Sequence, residues 1–311
     1  MQKIAPIKPG RLVKGDTIGI VAPSSSFDRD NFKKGVAMLR SLGYAVKYER
    51  SIFNACWSKP GHNKQRALQI NRMFADTQVK AIFCAKAGTG SAEIIPYLDK
   101  KIIRNNPKIF VGYSDITVIL LYLQKIANMV VFHGPIVSDE IYHDMNQLTL
   151  EYLQALCGQA KPLGELKVLQ LIAFRQGRAS GRLAGGNLSL IVEAMDLPYR
   201  VATRGCILFL EDINESFETM QQYFVRLRRA GIFKKIAGLV FGKITDPAGK
   251  EHDIRGIVDE IFKGYNIPIL YGFPSGHLQL RGGLHITLPF GVLATIDSEA
   301  LSLTIDEAAV T

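Results

Sequence analysis

Ser114, at a predicted strand-to-helix turn, is the first residue whose type and position could do chemistry. The segment 111–116 reads Val-Gly-Tyr-Ser-Asp-Ile and leads into an apolar run. A serine at such a turn has its hydroxyl lifted clear of the sheet, while free backbone N–H groups of the helix point at the group that it attacks. Gly112 and Ser114 match the first two fixed positions of a G-x-S-x-G nucleophile elbow, but Ile116 replaces the last glycine. The fragment alone leaves two interpretations open, a nucleophile or a helix N-cap.

Glu211 and His277 could supply the other two groups that activate a serine. Glu211 ends the apolar run 206–211, and a carboxylate at the close of a buried strand can hold an imidazole in one tautomer. An acidic loop that caps the following helix is the alternative interpretation. His277 ends the Gly/Pro-rich segment 272–277, from which a general base could reach within ~3 Å of a nucleophile. His133, at the end of a short apolar run, is the rival histidine, which we interpret as structural or substrate-side.

The sequence contains only weak signals for a metal site or a nucleotide site. No two histidines have the i, i+4 spacing of an H-E-x-x-H zinc motif. Gly88 and Gly90 begin a G-x-G-x-x-G pattern, but Glu93 stands where the last glycine belongs and would repel a pyrophosphate. The run 238–245 imitates a P-loop, but its glycines are one residue too close together. We therefore expect neither a metal nor a cofactor.

The elements that position these residues alternate between strand and helix in the first half of the chain. This order predicts a mostly parallel sheet flanked by helices. The loop that begins at Lys86 and the turn at Ser114 then follow consecutive strands, at the sheet edge where open α/β sheets bind ligands. Strands are predicted at 17–22, 44–48, 81–85 and 108–112, with helices around Phe32, Val36 and Leu39 and around Ala67, Ile70 and Phe74.

The second half predicts a further α/β domain with a mixed, partly antiparallel sheet. Strands are expected at 206–211, 236–241 and 268–271, with a helix between Ser216 and Ala230, and three closing antiparallel runs at 285–288, 293–297 and 301–305. Residues 158–177 show no clear period. We therefore predict an N-terminal domain over 1–150 that carries Ser114, a connection over 151–177, and a C-terminal domain over 178–311 that carries Glu211 and His277.

Charge is distributed unevenly along the 311 residues. The net charge is +10; residues 1–150 hold 21 basic and 11 acidic side chains, and residues 151–311 hold 17 of each. The basic residues are dispersed and are not interleaved with aromatic ones, so nucleic-acid binding is not expected. The first residues lack a signal-peptide pattern, and the longest apolar run, 118–123, is far short of a membrane span. We expect a cytoplasmic protein without a membrane partner, and four cysteines that are small buried hydrophobes.

Seven ordered segments together resemble the L,D-carboxypeptidase family, the muramoyltetrapeptide carboxypeptidases of cell-wall recycling. They cover nearly the whole chain, so that chance likeness is improbable although each segment alone is a weak signal. The segments are GDTIGIVAPSS (15–25), KIFVGYSDIT (108–117), FHGPIV (132–137), GGNLSLI (185–191), ILFLEDINE (207–215), AGLVFGKIT (237–245) and GFPSGH (272–277).

The resemblance implies a serine peptidase with a Ser114–Glu211–His277 triad and no cofactor. Family members cleave the amide that joins the L-centre of a diamino acid to the terminal D-Ala of a murein tetrapeptide. The expected oxyanion donors are the backbone N–H groups of Asp115 and of the turn at Gly88. We also expect a homodimer.

One loop departs from the family pattern. The family's Arg-Gly-Gly-Tyr-Gly run and later arginine are replaced by Lys86-Ala87-Gly88-Thr89-Gly90 and Glu93. Lysine keeps a positive charge for a substrate carboxylate but lacks the planar fork of arginine. Two alternatives therefore stay open: a microcin C-type peptidase of the same family, which hydrolyses an amide in a peptide-nucleotide, and a non-catalytic muropeptide-binding protein. The only tryptophan, Trp57, is one place to look for the base-stacking aromatic that the first alternative needs.

Overall fold

Within the residues that the structure describes, the first sheet contains six strands, five of them from the first half of the chain. The computed structural model describes residues 5–54, 62–142, 145–166, 168, 171–277 and 283–311. In chain order the first elements are β1 (Thr17–Val21), α1 (Arg29–Ser41), β2 (Ala45–Lys47), α2 (Asn63–Ala75), β3 (Val79–Cys84), α3 (Lys100–Asn105), β4 (Ile109–Gly112), α4 (Thr117–Ile126), β5 (Val131–His133) and α5 (Gln147–Gly158). Strands β2, β1, β3, β4 and β5 are neighbours in that order and all run parallel.

The second sheet contains eight described strands and mixes parallel with antiparallel pairs. Its order is β6-β14-β13-β8-β9-β10-β11-β7, and β8 to β11 are parallel. The mixed α/β fold class predicted from the sequence is confirmed. The elements are β6 (Gly164–Leu166), β7 (Ile172–Arg175), β8 (Arg178–Asn187), α6 (Leu188–Glu193), β9 (Cys206–Asp212), α7 (Phe217–Arg229), β10 (Gly238–Ile244), α8 (Arg255–Ile261), β11 (Ile269–Tyr271), β12 (Leu288–Phe290), β13 (Leu293–Asp297) and β14 (Ser302–Ile305).

Helix α4 packs between the two halves of the molecule. Every residue from Thr117 to Leu123 is buried, as expected for a helix that is apolar all round. Ile119 and Leu120 belong to the larger core around the first sheet, whereas Val118 and Leu121 belong to the core of the second sheet. The serine turn that begins this helix is therefore held between both sheets.

The long strand β8 does not follow from the apolar pattern of the sequence. It contains two arginines and three glycines, yet it pairs with β9 on one side and with β13 on the other. A Cβ on Gly185 would lie 1.9 Å from the carbonyl oxygen of Phe209. The glycine is thus required by the close approach of two backbones, and this requirement hides the strand from a hydrophobicity analysis.

Two further segments differ from the sequence-based expectation. The predicted connection over 151–177 contains most of α5 as well as β6 and β7, which form the two opposite edges of the second sheet. Within the three closing runs, β13 and β14 pair antiparallel as predicted. Strand β12, however, joins the first sheet antiparallel to β5. The last part of the chain thus completes the sheet that the first part began.

Candidate functional site

Ser114 lies in a strained turn between β4 and α4. Its φ is +60°, in the left-handed region that costs a non-glycine residue about 1–3 kcal/mol. The serine opens a 3₁₀ turn, Ser114–Ile116. A Cβ on Gly112 would lie 2.9 Å from Ile116 Cγ2 and 3.1 Å from Cys84 Sγ. The turn is therefore tight enough to require Gly112, and Ile116, which replaces the last elbow glycine, packs against it.

Asp115 fastens this turn to two neighbouring loops. Its buried carboxylate accepts hydrogen bonds from the Ser24 hydroxyl at 2.5 Å and from the Ser91 N–H at 3.0 Å. The Ser91 hydroxyl donates in turn to the carbonyl oxygen of Asp115. The sequence singled out Asp115 only for its backbone N–H and did not predict this role of the side chain.

Glu211 and His277 form a buried carboxylate–imidazole pair. Glu211 ends the apolar part of β9 and His277 follows β11, so both lie at the carboxyl edge of the parallel strands. The ring Nδ1 of His277 lies 2.7 Å from Glu211 Oε2, and the backbone N–H of His277 donates to the same oxygen at 3.1 Å. Glu211 is fully buried, whereas 15% of the His277 side chain is exposed. The Glu211 carboxylate thus holds one edge of the His277 imidazole.

The pair shifts both pKa values toward the charged forms. Burial raises the pKa of Glu211, but the charge of His277 and hydrogen bonds from it lower that pKa to about 2. Burial lowers the pKa of His277, but the charge of Glu211 and the hydrogen bond to it more than offset this effect and raise that pKa above its usual value. Glu211 is therefore ionised at neutral pH and stabilises an imidazolium.

A second hydrogen-bonded carboxylate lies directly behind this pair. Asn187, opposite Glu211 in the β8–β9 register, donates from Nδ2 to Asp212 Oδ1 at 2.8 Å and faces Glu211 Oε1 at 3.4 Å. The Ser189 N–H donates to Asp212 Oδ2 at 2.7 Å. Burial, followed by the charge of Glu211, raises the pKa of Asp212 to about 6. Asn187 separates the two carboxylates, and the sequence analysis did not identify it as a site residue.

Tyr113 brings the imidazole next to the serine turn. Its ring is edge-on to that of His277 with centroids 5.0 Å apart, and its hydroxyl donates to Glu140. No hydrogen bond joins the Ser114 hydroxyl to His277 among the described residues. The imidazole thus contacts the ring of the residue that directly precedes Ser114.

The remaining histidines near the site are buried and neutral. His133 is fully buried, neither ring nitrogen has a hydrogen-bond partner among the residues that the structure describes, and burial lowers its pKa to about 4. His285, which the sequence analysis did not identify, accepts a hydrogen bond on Nε2 from the Gly276 N–H at 3.2 Å. Burial, followed by the charge of His133, lowers its pKa to about 3.

The loop that departs from the family pattern, residues 86–93, is held to neighbouring segments at both ends. Lys86 Nζ lies 2.7 and 2.5 Å from the two carboxylate oxygens of Asp139. Gly88 has a φ of +130°, and a Cβ there would lie 2.3 Å from Ser25 Oγ, so the glycine is needed for the close approach of the two loops. Glu93 is largely exposed and accepts a hydrogen bond from Asn63.

Several sequence expectations can be compared with the described residues. Cys84, Cys157 and Cys206 are buried, whereas Cys56 and Trp57 lie outside the described residues. Residues 238–244 form β10, so the P-loop-like run is a strand. In the described part of the chain, no cluster of three metal-ligating side chains occurs. The helices described there include none with the length and apolar character that crossing a membrane requires.

An α/β fold in which a buried carboxylate–imidazole pair lies beside a serine turn is typical of a hydrolase. Comparison with known proteins assigns the family. Residues 18–134 match the LD-carboxypeptidase N-terminal domain, and residues 180–296 match the LD-carboxypeptidase C-terminal domain. The chain belongs to the LD-carboxypeptidase family, a family of peptidases.

Relatives within this family have two kinds of names. The chain is 32% identical to the Bacillus subtilis protein named "Probable murein peptide carboxypeptidase", over 94% of this chain and 92% of that one. A solved structure of the microcin C7 self-immunity protein MccF with aspartyl sulfamoyl adenosine is 25% identical, with a TM-score of 0.87 over 98% of this chain and 100% of that one. The muramoyltetrapeptide carboxypeptidase of Oxalobacter formigenes is also 25% identical, with a TM-score of 0.78 over 95% and 100%.

Proposed function

We propose that this protein is a cytoplasmic serine carboxypeptidase that releases the terminal D-Ala from murein tetrapeptides during cell-wall recycling. The observation that carries the proposal is the buried Glu211–His277 pair beside the strained Ser114 turn. The murein names of the relatives in Bacillus subtilis and Oxalobacter formigenes support the choice of substrate.

In the proposed mechanism His277 takes the proton of the Ser114 hydroxyl, and the serine oxygen attacks the scissile carbonyl carbon. Glu211 stabilises the imidazolium that forms, and this imidazolium then protonates the departing D-Ala amine. A water molecule repeats the cycle on the acyl-enzyme and frees the tripeptide. Each step moves one proton between His277 and the reacting atoms, so neither a metal nor a cofactor is required.

The tetrahedral intermediate needs two hydrogen-bond donors for its oxyanion. We assign them to the backbone N–H groups of Asp115 and Gly88, each worth about 3–4 kcal/mol of the barrier. The Asp115 carboxylate supports this assignment because it accepts from Ser24 and from Ser91. Ser25 fastens the other loop by accepting a hydrogen bond from the Thr89 N–H at 3.0 Å. These contacts hold the two loops together before substrate binds.

The experiment is an end-point assay with a synthetic murein tetrapeptide, read by mass spectrometry. The native protein should yield tripeptide and free D-Ala. Ser114→Ala should yield neither while its thermal unfolding stays close to native. Release of D-Ala by Ser114→Ala would refute the triad. If the native protein binds the tetrapeptide without cleaving it, the non-catalytic binding role replaces the proposal.

A peptide-nucleotide amidase is the second candidate, because the MccF complex has a higher TM-score than the muramoyltetrapeptide carboxypeptidase. The same assay with a hydrolysable aminoacyl-nucleotide amide decides between the two. Preferential cleavage of that amide would replace the murein substrate and keep the triad. Sedimentation of the native protein tests the proposed homodimer.

A further inference from the structure

A partly exposed ion pair, Lys86–Asp139, is not used by the mechanism above. Lys86 Nζ contacts both oxygens of the Asp139 carboxylate, at 2.7 and 2.5 Å. About a third of each side chain is exposed, 33% for Lys86 and 34% for Asp139. Both charged groups are therefore within reach of a dissolved molecule.

The pair bridges the loops on either side of the strand that ends at the serine turn. Lys86 follows β3 and Asp139 lies in the segment after β5, and β4 lies between these two strands in the sheet. The Ser138 hydroxyl donates to the carbonyl oxygen of Ala85 at 2.6 Å, which keeps the two segments together. Because β4 leads directly to Ser114, the ion pair spans the end of this strand.

Each side of the Lys86–Asp139 ion pair is also connected, through nearby residues, to a neighbour of Ser114. On the Asp139 side, the next residue, Glu140, accepts a hydrogen bond from the hydroxyl of Tyr113. On the Lys86 side, the loop carbonyl of Thr89 accepts a hydrogen bond from the Ser24 hydroxyl at 3.2 Å, and this hydroxyl also contacts the Asp115 carboxylate. These connections link the two ends of the ion pair to the residues on either side of Ser114, namely Tyr113 and Asp115.

The two charges together are poorly suited to a substrate group with one charge. An anion that approaches Lys86 also meets the negative charge of Asp139, and a cation that approaches Asp139 meets Lys86. Such a group also separates the pair and leaves one member without its partner. A group that carries an ammonium and a carboxylate on one carbon can instead replace both partners at once. The exposed pair is itself only weakly stabilised, so this exchange costs little.

We propose that Lys86 and Asp139 together bind a zwitterionic group on the substrate, namely the side-chain end of a diaminopimelate at the third position of the peptide. The proposal rests on the murein carboxypeptidase function proposed above. The ammonium of the substrate binds Asp139 and the carboxylate binds Lys86. A lysine at the third position supplies only the ammonium, so the pair selects diaminopimelate over lysine.

The test uses four tetrapeptides that differ only in the third residue. Diaminopimelate carries both charges, lysine only the ammonium, 2-aminopimelate only the carboxylate, and norleucine neither. For the native protein, kcat/KM for D-Ala release should be roughly tenfold higher with diaminopimelate than with the other three. Lys86→Met should make the lysine peptide the best substrate, because Asp139 then lacks its partner. Asp139→Asn should make the 2-aminopimelate peptide the best substrate.

The control is Lys47→Met, which breaks an equally short ion pair to Asp76 at the far edge of the first sheet. It should keep the native order of substrates. Circular dichroism melts confirm that each variant is folded. Equal rates with all four peptides in the native protein, or the native order in both Lys86→Met and Asp139→Asn, would overturn the zwitterion site while D-Ala release continues. No D-Ala release from any peptide by the native protein would instead overturn the proposed function itself.

Discussion

Replacing Glu211 by glutamine removes the negative charge of the acid–histidine pair and keeps the shape of the side chain. The favourable interaction with His277 depresses the pKa of Glu211 from 4.5 to about 2 in spite of burial, a difference of on the order of 3 kcal/mol. If the same interaction stabilises the imidazolium in the transition state, its loss lowers kcat/KM roughly 150-fold.

The geometry of the amide adds to this loss. Glu211 Oε2 accepts from both the ring Nδ1 and the backbone N–H of His277, while Oε1 faces the donor Nδ2 of Asn187. A glutamine can place its oxygen on only one of these sides, so an NH₂ group faces a donor on the other. If the NH₂ group faces His277, the ring is held in the wrong tautomer. The total loss in kcat/KM then approaches ~10⁴-fold.

The same substitution should change the pH dependence of the reaction. In the native protein Glu211 raises the pKa of His277 above its usual value of 6.5, so activity falls as the pH drops through this raised value. In Glu211→Gln burial becomes the dominant effect and lowers the pKa of His277. The acid limb of kcat/KM therefore moves to lower pH, below 6.5.

The assay is D-Ala release from the tetrapeptide between pH 4.5 and 9, with Glu218→Gln as the matched control. Glu218 is exposed in the first turn of α7, so its amide variant should keep the native rate and profile. A Glu211→Gln enzyme within tenfold of the native rate, with its acid limb unmoved, would refute the role of Glu211 in orienting and stabilising His277.

Three further predictions use other parts of the structure. Gly276→Ala places a Cβ 2.5 Å from the Glu211 carboxyl carbon at a φ of +87°, so urea unfolding should show a loss of roughly 2–3 kcal/mol. Gly249→Ala, at a φ of +78° with open space around it, should lose only about 1 kcal/mol; equal losses would contradict the clash. Ser114→Gly should abolish activity but raise the free energy of unfolding by roughly 1 kcal/mol, since it relieves the φ of +60°. Ser114→Ala should show no such gain. Finally, kcat/KM should fall as salt rises if the basic first half steers an acidic peptide, and a flat response would reduce this charge to a solubility role.

The elements of the first half could be predicted because their signals are local. Strands β1, β3 and β4 are short apolar runs whose burial on both faces leaves a continuous hydrophobic pattern. Strand β8 has no such pattern, because its glycines are there to fit against Phe209 and Thr117. Strand β12 belongs to the first sheet because it pairs with β5. Residues 288–290 alone do not indicate which strand they pair with.

Individual residues of the candidate site could be predicted from the sequence, but the contacts that support them could not. Ser114, Glu211 and His277 follow from their residue types and loop positions together with the family resemblance. Asn187 and His285 do not, because their roles depend on Asp212 and Gly276, which other segments of the chain supply. Contacts of this kind are created by folding, so no spacing within the sequence indicates them.

Because β12 lies near the end of the chain, the first sheet can be completed only late in synthesis on the ribosome. Strand β5 pairs with β4 on one side, but its other edge is covered only when residues 288–290 have left the exit tunnel. Until then the nascent first half presents an open edge to other chains, a recognised route to aggregation. Gene fragments that end before β12 should therefore give insoluble protein even though they encode five of the six strands described for this sheet.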